Sequence, residues 1–92
     1  MNAELREPEV RTLTDRQAEI YAWIFAETMR MGYQPILTEI GRQFGIRSAE
    51  GVNRNLNMIA KKGYIKIHEG KARAIEFLVT PDGEPFRGFR VA

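Results

Sequence analysis

Residues 37–62 read LTEIGRQFGIRSAEGVNRNLNMIAKK, and the break inside this stretch decides the fold. Leu37, Ile40 and Phe44 keep helical spacing up to Gly45, which suits a left-handed stop. Ile46 and Arg47 form a tight turn, and Ser48 suits the N-cap of a new helix running to about Lys62. Its inward stripe is Val52, Leu56, Ile59 and Ala60. Lys61 and Lys62 favour the negative end of that helix, and Gly63 stops it. Two short helices joined by so tight a turn are a helix-turn-helix.

Upstream, Thr14 and Gln17 form a capping box, with Asp15 in the first turn. Ala18, Ile20, Tyr21, Ile24, Phe25, Thr28 and Met29 then recur at helical spacing until Gly32, which predicts a helix over 15–31. Downstream the period changes to two. Ile65 and Ile67 alternate with Lys66 and His68, and Ile75 and Phe77 flank Glu76, around a turn at 69–71. This is a β-hairpin with one buried face. The fold class is α+β: a winged helix-turn-helix, three helices followed by a two-stranded hairpin wing. Residues 1–12 form a flexible N-terminal arm, 13–80 the domain and 81–92 a C-terminal tail that follows a turn cluster at 80–85.

Ninety-two residues are enough for one small domain, and a 43% apolar share fits a packed core. The absence of cysteine excludes disulfides and thiolate metal sites and fits a reducing compartment. No run approaches a membrane span, and the N-terminus lacks the apolar segment of a signal peptide, so a cytoplasmic location is expected. Charge is uneven: residues 33–80 hold eight basic and four acidic side chains, while residues 1–32 hold four and six. The basic share lies with the helix-turn-helix and hairpin, which favours an anionic partner.

The third helix spends its outward positions unusually. Ser48, Glu50, Gly51, Asn53, Arg54, Asn55 and Asn57 stand on or beside that face, and asparagine is a mediocre helix former. Asparagine matches the edge of adenine and arginine that of guanine, so this composition suits a helix that reads bases. Lys71 and Arg73 near the hairpin turn suit phosphates. Catalysis is not expected. His68 is the only histidine, Ser48 has no evident base beside it, and Gly41, Gly45 and Gly51 do not form a phosphate loop. No cofactor, metal or small-molecule ligand is implied. Tyr21 and Trp23 read as core or dimer contacts.

Residues 13–79 resemble the N-terminal DNA-binding domain of LexA-type repressors. The segments carrying the likeness are LTDRQAEIYAWI, the connector at 32–35, TEIGRQFGIRS, LNMIAKKGYIKI and EGKARAIEF, which together with their spacing cover about two-thirds of the chain. The resemblance implies a repressor that binds operator DNA through its third helix. It places Ser48, Glu50, Gly51, Asn53 and Arg54 at bases and phosphates, and Arg47 and Lys71 at the backbone. This chain departs from the family along the reading helix, where Asn, Ala and acidic residues are usual, so a different operator is expected. Ile36 stands where a Thr cap is usual. The Ser–Lys peptidase domain that follows in LexA-type repressors is not in the sequence, which suggests a stand-alone regulator, as in a phage or mobile element. A homodimer on double-stranded DNA would then pair through the arm, helix 1 or the Phe86/Phe89 tail. The alternative is a winged-helix protein-interaction module acting on a repressor or transcription complex.

Overall fold

The computed structural model describes residues 10–68 and 74–86. Its element order is α1 (Asp15–Met31), α2 (Leu37–Phe44), α3 (Ala49–Lys61), β1 (Ile65–Ile67) and β2 (Ile75–Phe77). The chain is thus the winged helix-turn-helix expected from the sequence.

Local chemistry sets the helix ends. The Thr14 hydroxyl accepts from the Gln17 N–H at 3.1 Å, and Gln17 Oε1 accepts from the Thr14 N–H at 3.0 Å. Each bond satisfies a donor that the first turn leaves orphaned. Gly32 closes α1 in the left-handed region, at φ 85°. α2 has no side-chain cap, because Ile36 supplies no acceptor. Glu39 compensates in part by accepting from the Ile36 N–H at 2.9 Å.

Ile20, Tyr21 and Ile24 of α1 meet Ile40 of α2 and Val52, Leu56 and Ile59 of α3 in one core, which β1 and β2 close with Ile65 and Phe77. Thr28 is fully buried on α1, and its hydroxyl donates to the Ile24 carbonyl at 2.8 Å. That bond is how a polar group fits the apolar stripe. Tyr21 anchors the opposite end. Its ring stands edge-on to Phe25 and Tyr64, and its hydroxyl donates to the Val79 carbonyl, with the Tyr64 carbonyl 3.4 Å away. Burial, helped by Tyr64, pushes the Tyr21 hydroxyl well above the usual tyrosine range.

The strands pair antiparallel, with Ile65 opposite Phe77, Lys66 opposite Glu76 and Ile67 opposite Ile75. The chain stays folded past Thr80. Thr80 N–H donates to the Glu84 carbonyl at 2.7 Å, and Val79 pairs with Pro85. Phe86 then returns to pack edge-on against Phe25, with ring centres 5.1 Å apart. A residue considered above as a dimer contact is therefore packed within its own chain. At the other end, Val10 packs on the core and the Arg11 N–H donates to the Lys62 carbonyl at 2.9 Å. Val10 and Arg11, assigned to the arm from the sequence, thus contact the folded domain. Among the described residues, no helix is long and apolar enough to cross a membrane.

Candidate nucleic-acid interface

Gly41 sets the relation between α2 and α3. It is buried, and its carbonyl accepts from both the Gly45 N–H and the Ile46 N–H. A Cβ at Gly41 would fall 2.6 Å from the Ile46 carbonyl oxygen and 3.4 Å from Val52 Cγ2. The turn thus lies directly on the α2 backbone. Gly45 makes the reversal, at φ 70°. Ser48 then starts α3 by accepting from the Gly51 N–H at 3.0 Å.

Because Val52, Leu56 and Ile59 are buried, the opposite face of α3 is exposed. Glu50, Asn53, Arg54 and Asn57 lie on it at i, i+3, i+4 and i+7, one row along one side of the helix. Met58 and Lys61 extend the exposed surface toward the C-terminus. Arg47 in the turn and Arg42 on α2 are exposed beside it. Among the described residues, neither of them nor Arg54 has a side-chain hydrogen bond or ion pair, so all three guanidinium groups are available to a ligand.

Two residues counted with the outward face from sequence are half-buried. Gly51 is wedged against the turn: a Cβ there would meet Ile46 Cγ2 at 2.8 Å and Ser48 Oγ at 3.2 Å. Asn55 turns its amide back along the helix, and Nδ2 donates to the Gly51 carbonyl at 2.9 Å. Lys71 and Arg73 lie outside the described residues. On the wing strands, Lys66 is exposed, and His68 Nε2 meets Glu76 Oε1 at 3.0 Å across the outward face.

Sequence reasoning missed the residues that brace this surface from behind. Arg16 Nη2 donates to the Phe44 carbonyl at 2.7 Å, and its guanidinium lies over the Phe44 ring. This satisfies a carbonyl left open at the end of α2. Lys62 Nζ donates to Gln17 Oε1 at 2.6 Å and so ties the end of α3 to the start of α1. No local pattern marks such pairs; only the basic residue type at each position hints at them.

Residues 10–74 match the LexA DNA binding domain family. The LexA repressor of Colwellia psychrerythraea is 40% identical over 87 residues, which is 91% of this chain and 41% of that protein. The LexA repressor of Bifidobacterium adolescentis is 36% identical over 78 residues, 85% of this chain and 30% of the relative. That of Staphylococcus haemolyticus is 42% identical over 69 residues, 75% of this chain and 33% of the relative. The chain thus spans well under half the length of these relatives.

Proposed function

The chain belongs to the LexA DNA-binding domain family, and from that premise we propose that it is a sequence-specific DNA-binding repressor of transcription. α3 enters the major groove N-terminal end first. Glu50, Asn53, Arg54 and Asn57 face base edges, Asn53 and Asn57 toward adenine and Arg54 toward guanine. Glu50 accepts from the cytosine amino group. Ser48, Arg47 and Arg42 hold phosphates at the mouth of the groove, while Lys71 and Arg73 reach a neighbouring stretch of backbone. The protein acts as a homodimer on a palindromic site. The observation that carries this reading is the row of Asn and Arg on α3, exposed and opposite its buried stripe. An ordinary solvated helix face would gain stability from Glu, Lys or Gln at those positions.

The test is selection of duplexes from a randomised library, followed by fluorescence anisotropy. A preferred duplex should bind at least about tenfold tighter than bulk DNA. Arg54→Ala should change the preferred bases. Lys71→Ala should weaken all duplexes alike and lower the salt slope by about one. If no duplex is preferred, the reading fails and the protein-interaction module takes its place.

A further inference from the structure

Gln34 lies in the connector between α1 and α2, next to the buried Pro35. Its side-chain amide faces the backbone of Ile75 in β2. The Ile75 N–H donates to Gln34 Oε1 at 2.8 Å, and Gln34 Nε2 donates to the Ile75 carbonyl. The hairpin register explains why Ile75 offers both groups. The His68 N–H donates to the Ala74 carbonyl and the Leu78 N–H to the Tyr64 carbonyl, each at 2.9 Å. Ladder bonds fall on alternate pairs, so Ile67 opposite Ile75 is a non-hydrogen-bonded pair. The N–H and C=O of Ile75 therefore point to the open edge of β2. A primary amide carries a donor and an acceptor side by side, as a peptide does. Gln34 thus behaves as a third strand one residue long.

This tie borders a cleft of about 370 Å³ lined by Ile36, Leu37, Ala49, Asn53, Ile67 and Ile75, among others. The cleft separates the wing from the N-terminal half of α3, which carries Asn53. A two-stranded hairpin is marginal by itself, and each strand here is three residues long. Ile65 and Phe77 hold its inner face on the core, and what anchors its outer edge helps to set its angle.

We propose that Gln34 is a positioning residue for DNA binding. By fastening Ile75 to the α1–α2 connector, it sets the wing at a fixed angle to α3. That angle fixes the spacing between the backbone the wing meets and the bases α3 reads. The inference rests on the DNA-binding reading above.

The test uses the full chain and a duplex recovered by the library selection. Gln34→Met keeps side-chain length and removes both bonds. Gln34→Glu keeps an acceptor for the Ile75 N–H but sets a second acceptor against the Ile75 carbonyl. Amide hydrogen exchange reads the Ile75 tie, hydroxyl-radical footprinting reads the phosphates, and repeated selection reads base preference. Both variants should fold and lose protection of the phosphates flanking the major-groove site; Gln34→Met should also expose the Ile75 amide to exchange, and Gln34→Glu should do so less. Affinity should fall roughly five- to tenfold, as for one or two lost backbone contacts, with preferred bases unchanged. Wild-type affinity and full flanking protection in Gln34→Met, with its Ile75 amide exchanging freely, would overturn the positioning role alone. A wild-type chain with no preferred duplex, or no flanking protection, would overturn the reading beneath it. If neither variant folds, Gln34 is a stability residue and the positioning role is wrong.

Discussion

The carbonyl oxygen of Ile46 lies 2.6 Å from the point where a Cβ on Gly41 would sit. No side chain fits between α2 and the turn that follows it, so the angle between α2 and α3 depends on a missing atom. Alanine would ordinarily favour a helix interior by about 1 kcal/mol over glycine. Here the obstructing atom belongs to the backbone and moves only if the turn opens.

Gly41→Ala should therefore destabilise the domain by about 1–3 kcal/mol, the cost of overpacking. Urea denaturation followed by circular dichroism measures this directly. A midpoint equal to or above that of the wild type would show that the turn yields freely.

Tyr21→Phe removes the hydroxyl that donates to the Val79 carbonyl and keeps the ring. A buried acceptor left unpaired costs about 1–3 kcal/mol. The substitution should also change the response to alkali. Burial holds folded Tyr21 protonated well above the ordinary value, while the unfolded chain ionises near about pH 10. The stability contributed by Tyr21 is whole below that pH and is lost as pH rises past it, at up to about 1.4 kcal/mol per unit. Subtracting the Tyr21→Phe profile from the wild-type profile between pH 8 and 11 cancels the lysines and leaves this slope. A flat difference would mean that Tyr21 ionises freely in the fold.

The elements were legible because their ends are local. Thr14 with Gln17, Ser48, Gly32 and Gly45 each act within one helical turn, so a single sequence shows them. The buried stripe of α3 was legible for the same reason. What joins the elements was not. Arg16 to Phe44, Lys62 to Gln17 and Gln34 to Ile75 link residues 28, 45 and 41 positions apart, and no spacing rule predicts them. The outward face was legible as a composition but not residue by residue. Gly51 and Asn55 sit at its margin, where neighbours in the folded chain claim them.

Ser48 is expected to serve both the fold and the ligand, and two variants separate these. Ser48→Ala removes the acceptor for the Gly51 N–H and should cost about 0.5–2 kcal/mol. Ser48→Asp keeps a cap of similar strength, but sets a negative charge where a phosphate is proposed to lie. It should melt close to the wild type and bind DNA more weakly than Ser48→Ala does. Equal DNA affinity for wild type and Ser48→Asp would remove Ser48 from the interface.

Asn53 and Asn55 are the same residue type two positions apart on α3, and the structure gives them different surroundings. Asn53 is exposed with its amide unengaged among the described residues, whereas the Asn55 amide donates to the Gly51 carbonyl. Asn53→Ala should relax selection at one base pair, with a loss of about 1–3 kcal/mol in discrimination. Asn55→Ala should leave the selected sequence unchanged. Its effect on stability should also be small, because one partly exposed hydrogen bond is traded for the better helix propensity of alanine. Parallel selections with the two variants give the comparison. A shifted base preference in Asn55→Ala would mean that this side chain leaves the Gly51 carbonyl when DNA arrives, which would make it a reader after all.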